Sequence, residues 1–188
     1  MSTFDKDLTD ILLGYKESFS HKNYGDESEE SDVLMEAFGI TQELKKENKQ
    51  YWGRELGMCW QMLVTAVFRK YCRNFSKPKK YGDDEPADFF AGKEAVDTKY
   101  RVGSGDSGTL KKFKQYGKML IDEKHTPVFL FLRNDNLPAA ITACKAGGWT
   151  LYTGDASFKY IFERTGFDLK KWLVKVKDKK SHFIKREK

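Results

Sequence analysis

Asp88, Asp97 and Lys99 fall within the short stretch "PADFFAGKEAVDTK" and put two carboxylates and an amine close together. If this stretch folds as two strands around the turn Ala91-Gly92-Lys93, Asp88 belongs to the first strand and the other two to the second. Side chains alternate along a strand, so Asp97 and Lys99 share a face and Thr98 points away. Two carboxylates and the backbone carbonyl of Thr98 offer the hard oxygen ligands that magnesium prefers, leaving positions for water and a phosphate. Magnesium at such a place polarises a phosphoryl oxygen and acidifies a water. A neighbouring ammonium orients the attacker or stabilises developing negative charge. The chemistry that suits this set is hydrolysis of a phosphodiester.

The bland alternative is an exposed, salt-bridged strand face, which a chain with 33% charged residues can supply anywhere. The surroundings favour the chemical reading. Residues 1–98 carry 14 Lys and Arg against 19 Asp and Glu, a balance of −5, whereas residues 99–188 carry 20 against 9, a balance of +11. The second half is thus strongly basic, and a sustained positive potential over it favours an anionic partner such as nucleic acid.

The elements that must position these groups follow from periodicity and punctuation. Helices are expected over 3–19 and about 29–38. A long buried helix follows over 43–71, with Trp52, Leu56, Trp60, Leu63 and Val67 at helical spacing. The segment "NFSKPKKYGDDEP" reads as a connection into a sheet. After the hairpin, Asp106 or Ser107 caps a helix over 109–122, with Leu110, Phe113 and Leu120 inward and Lys111, Lys114, Gln115 and Lys118 outward. "TPVFLFLR" reads as a strand buried on both faces at the centre of a sheet. "NLPAAITACKAGG" reads as a helix, "WTLYT" as a strand, and two more helices cover 156–164 and 168–178. The alternation predicts an α/β fold with three layers and a central mixed sheet, in one domain: an N-terminal helical segment (1–42), a core (43–180) and a basic tail (181–188). No apolar run is long enough to cross a bilayer and the start lacks a secretory pattern, so a cytoplasmic protein without membrane contact is expected. Cys59, Cys72 and Cys144 lack metal-binding spacing.

The pattern resembles the PD-(D/E)xK nuclease motif, with "PAD" supplying the first acid and "DTK" the second acid and the lysine. The longer runs "DTKYRVGSGDSGTLKKFKQYG", "LRNDNLPAAITACKAGGW" and "TGDASFKYI", with "YWGRELGMCWQ" in the long helix, resemble type II restriction endonucleases of the ApaLI kind. The resemblance implies a magnesium-dependent endodeoxyribonuclease cutting double-stranded DNA at a short palindrome, GTGCAC if specificity follows the family. A cognate DNA methyltransferase acting on the same site is a further implied partner. Asp88 and Asp97 match the metal-binding acids, and Lys99 matches the catalytic lysine. A further acid often comes from the first core helix of such nucleases. Glu55 and Gln61 are the candidates here; both flank the apolar stripe, and the carboxylate of Glu55 is preferred as the stronger metal partner.

"VGSGDSG" lacks the GK[ST] ending of a P-loop. It can still bring backbone N–H groups to a phosphate ahead of the basic helix. Arg101, Ser104, Asp106, Ser107, Lys111, Lys112, Lys114 and Lys118 are therefore candidate DNA contacts. One acid-acid-lysine set cuts one strand, so a double-strand cut at a palindrome calls for a homodimer. The face Leu8, Ile11, Leu12 and Tyr15 offers either an interface or packing against the core. Two other classes share these features: a structure-selective or repair nuclease, and a DNA-binding module that does not cut.

Overall fold

The computed structural model describes residues 9, 10, 12, 13, 27–103 and 105–178. The first expected helix lies largely outside the described residues, as do the basic tail and Ser104. The second is the short helix α1 (Val33–Phe38), capped by Asp32, whose carboxylate accepts from the N–H groups of Leu34 and Met35. The expected long helix is broken. Helix α2 (Gln42–Glu47) stops at Asn48, which leaves helical geometry at φ −152° and ψ 80°. The Asn48 side chain then accepts from Tyr51 N and caps the long helix α3 (Lys49–Tyr71).

Strands β1 (Phe75–Ser76), β2 (Phe89–Ala91), β3 (Glu94–Lys99), β4 (Thr126–Phe131) and β5 (Thr150–Thr153) form one sheet in sequence order. β1, β2 and β3 pair antiparallel, while β3, β4 and β5 pair parallel. The sheet is therefore mixed, with β3 in the middle and β4 between two parallel neighbours. Gly92 takes φ 64° in the β2–β3 turn, a conformation open to glycine at no steric cost. The parallel connections run through helices α4 (Ser107–Asp122) and α5 (Pro138–Ala146), and the chain ends in α6 (Asp155–Thr165) and α7 (Leu169–Asp178).

Both faces of β4 are apolar, which makes three layers. Val128 and Leu130 face a core with Trp60, Val64 and Phe68 of α3, Tyr160 and Ile161 of α6, and Leu173 of α7. Phe129 and Phe131 face a second core with Phe113 and Leu120 of α4 and Ala140, Ala143 and Cys144 of α5. The fully buried Trp60 also donates from Nε1 to the carbonyl of Leu130 at 3.1 Å, which fixes α3 against the sheet. Truncating it to Ala would cost about 3–5 kcal/mol of stability. On the other face, a Cβ on Gly117 would lie 2.2 Å from the carbonyl oxygen of Gly147, so only glycine allows α4 this close to the end of α5.

Candidate active site

The site forms where β2 begins and β3 ends. The β2–β3 register runs from Ala91 opposite Glu94 to Phe89 opposite Val96, and the pairing stops there. Thr98 thus lies beyond the reach of the β2 backbone, and its N–H needs another acceptor. The carboxylate of Asp88 supplies it: Oδ2 accepts from Thr98 N at 2.7 Å and from Thr98 Oγ1 at 2.6 Å. The Asp88 backbone N–H, in turn, donates to the Val96 carbonyl at 2.9 Å. Oδ1 accepts from Nε2 of Gln61, on α3, at 2.6 Å. Asp88 is therefore clamped from the sheet and from the long helix.

Asp97 and Lys99 lie opposite Phe129 and Phe131 on the parallel neighbour β4, and so on the α4–α5 face. Nζ of Lys99 donates to Asp97 Oδ1 at 3.1 Å. Asp97 is only 9% exposed. Burial pushes its carboxyl up to about 7; Lys99 opposes that rise, and the nearby Asp88 carboxylate adds to it. For Lys99, burial works against the charge, but Asp97 and Asp88 outweigh it and hold the ammonium above the ordinary lysine value. Two carboxylates thus share one ammonium, which leaves an excess of negative charge. Cys144, across from Asp97 on α5, is pushed up to about 12, first by burial and then by Asp97, so it stays a thiol.

This donor set suits a hard divalent cation. Asp88 Oδ1 and Asp97 Oδ1 each take one of these hydrogen bonds and keep acceptor capacity, and the surplus negative charge is what a cation neutralises. Asp88 and Asp97 would hold magnesium, together with the Thr98 carbonyl. Among the described residues there is no group of three or more His, Cys, Asp or Glu placed to hold a metal ion.

Of the two α3 candidates, Gln61 is the one that reaches Asp88, and Glu55, the preferred one, does not. Glu55 pairs with its neighbour Arg54 at 3.1 Å and borders a separate apolar groove. The two positions are six residues apart, or roughly 120° around the helix, so both cannot face the hairpin. Of the candidate DNA contacts, Lys111, Lys112, Lys114 and Lys118 lie exposed on α4. Lys112 lies 3.3 Å from Asp84. Ser107 is the exposed first residue of α4, and Asp106 caps that helix by accepting from Thr109 N at 2.9 Å. Arg101 is tied inward: its Nε donates to the Asp135 carbonyl at 2.9 Å, so an outward contact needs that bond broken. Glu94, on the opposite face of β3 from Asp97, has a structural role, bonding Arg164 at 2.6 Å and Tyr160 at 3.0 Å.

No family model, curated protein or solved structure matches this chain. The site is thus read from its own geometry.

That geometry includes a support that sequence reading missed. Just past β4, the buried Arg133 donates to both carboxylate oxygens of Asp135 at 2.8 and 3.0 Å, to Asp32 Oδ2 at 3.2 Å, and to the carbonyls of Glu30 and Ser28. Tyr100, next after Lys99, donates to Asp32 Oδ2 and accepts from Lys45. This network fixes the chain that follows the acids and the lysine. Its partners lie up to 105 positions apart, so no local motif announces it.

Proposed function

We propose that this protein is a magnesium-dependent nuclease that hydrolyses phosphodiester bonds in double-stranded DNA. In its most specific form the reading is a type II restriction endonuclease acting as a homodimer on a short palindrome such as GTGCAC, alongside a methyltransferase protecting the same site. The observation that carries it is the meeting of Asp88, Asp97 and Lys99 at the end of two paired strands, with Gln61 reaching in from α3. Magnesium, when bound, would polarise the scissile phosphate and acidify a water. Asp88 is held by three hydrogen bonds and needs little reorganisation to bind a cation. Lys99 places a positive charge beside Asp97, where it can orient the attacking water or offset charge developing on phosphate oxygens. The exposed lysines of α4 supply the backbone attraction that duplex DNA requires.

Digestion of plasmid DNA tests this reading. With magnesium, discrete bands support site recognition, and their loss in the Asp88→Ala, Asp97→Ala and Lys99→Ala proteins supports the assigned residues. Preference for branched substrates would indicate a structure-selective nuclease. Tight binding without products, in any divalent metal, would reduce the protein to a DNA-binding module. Wild-type activity in Asp97→Ala would remove the catalytic assignment.

A further inference from the structure

The end of the sheet opposite the candidate active site carries an open cavity of about 380 Å³, lined by Tyr71, Cys72, Arg73, Asn74, Glu94 and Arg164. Glu94 opens β3 and Lys99 ends it, a separation of about 17 Å along the strand. Two groups in that lining are left over by the fold. Tyr71, the last residue of α3, lies nearly flat on Phe167, with ring centroids 5.3 Å apart and planes 15° from parallel, yet it is 49% exposed. One face of the ring is therefore packed while much of the remainder meets water. Arg73 is exposed and, among the described residues, has no hydrogen bond or ion pair. Arg164, by contrast, binds Glu94 at 2.6 Å, so the acid in this lining is already neutralised. Two more exposed cations flank the cavity: Lys70, just before Tyr71, and Lys93, in the β2–β3 turn whose Gly92 N–H donates to the Asn74 carbonyl at 2.9 Å. We infer that this cavity binds one nucleotide of a single-stranded nucleic acid, with the base on the Tyr71 ring and the phosphate on Arg73.

Charge selects the class of ligand, because Lys70, Arg73, Lys93 and Arg164 outnumber the one lining acid, Glu94, and leave a surplus that an anion neutralises. The aromatic ring narrows that class. A ring supported from behind is already ordered, and stacking accepts every base because each has a π face. In a duplex those faces are covered by the neighbouring pairs, so Tyr71 is open only to an unpaired base. The cavity lies in the lower part of the range of about 300–1,000 Å³ that ligand pockets span, room for one nucleotide and not for a double helix. Lys70 and Lys93 lie outside the lining and offer charge to the phosphates on either side, which a strand has and a free nucleotide lacks. None of Asp88, Asp97, Lys99 or Gln61 lines the cavity, so the inference stands apart from the nuclease reading.

Anisotropy of a short fluorescein-labelled oligothymidylate, titrated with the full-length protein in EDTA, tests the inference without any cleavage. The wild type should bind it, and Tyr71→Phe should match the wild type. Tyr71→Leu keeps apolar cover over Phe167 but removes the aromatic face; it should bind about tenfold more weakly with an unchanged salt dependence, the loss of one base–aromatic stack. Arg73→Gln should instead flatten the log-log salt slope by about 0.7, one phosphate contact on a single strand. Both effects should persist in protein whose Lys111, Lys114 and Lys118 are neutralised, which separates this surface from the duplex contacts of α4. A wild type that does not bind the strand, binding that ignores both variants, or a loss in Tyr71→Phe equal to that in Tyr71→Leu would overturn the inference. So would thymidine monophosphate competing as well as the strand, which would assign the cavity to a free nucleotide. An equal loss on a duplex of the same length would reduce the surface to a general phosphate contact and overturn it as well.

Discussion

Replacing Asp97 by Asn should make the protein more stable at alkaline pH, although it removes a group assigned to the active site. The carboxyl of Asp97 titrates near 7 in the folded chain against 3.8 for a free Asp, because burial and Asp88 disfavour its charged form. A raised carboxyl has the opposite consequence from a salt-bridged one. Below pH 3.8 the group is protonated in both states and costs nothing. Between pH 3.8 and 7 the unfolded chain releases the proton while the folded chain keeps it, so stability falls as pH rises. Above pH 7 the cost is constant, and the difference between the two pKa values gives an upper bound of about 4 kcal/mol. Asn keeps the shape and removes that cost, in which the attraction of Lys99 is already included, but it leaves the buried Lys99 ammonium with one carboxylate partner fewer. The net gain is smaller than that bound, and each kcal/mol of it raises Tm by roughly 2–4 °C for a chain of this length. The assay is thermal or urea unfolding of both proteins in EDTA at pH 4, 6 and 8. The gap should grow with pH and level off above neutrality. Magnesium should then raise the stability of the wild type more than that of Asp97→Asn, by mass action on the folded state. A variant that is less stable at pH 8, or a gap that ignores pH, would refute the reasoning about the crowded carboxylates.

Two further outcomes follow from the same geometry. Gln61→Ala removes a partner of Asp88 and should lower cleavage by about 10–100-fold, the usual range for groups that orient a metal ligand, whereas Glu55→Gln should leave cleavage near wild type; rates on one duplex substrate compare them. Neutralising Lys111, Lys114 and Lys118 together should weaken binding to all DNA sequences and flatten the log-log salt dependence by up to about 3, and an unchanged slope in a binding titration would place the DNA elsewhere.

What could be read from the sequence follows from how far each interaction reaches along the chain. Strand alternation is local, and it puts Asp97 and Lys99 on one face before any tertiary contact is known. The same holds for "TPVFLFLR", whose unbroken apolar run already implies cover on both sides of β4. The break at Asn48 was hidden because apolar spacing continues across it, and an Asn caps a helix as readily as it sits on one. Strand β1 has two residues, too few to show any period, so "NFSKPKKYGDDEP" read only as a connection. The choice between Glu55 and Gln61 required more than the phase of α3. Both positions flank the buried stripe, and the flank that meets the hairpin depends on how Trp60 seats α3 against Leu130 of β4. Asp88 carries the point furthest. Its type marked it as a metal ligand, but its orientation comes from β2 starting at Phe89, too late to pair with Thr98. The unpaired N–H of Thr98 then draws the carboxylate toward β3, and Gln61 holds it from the other side. A backbone donor left over at the end of a ladder thus aims the acid on which the proposed chemistry depends.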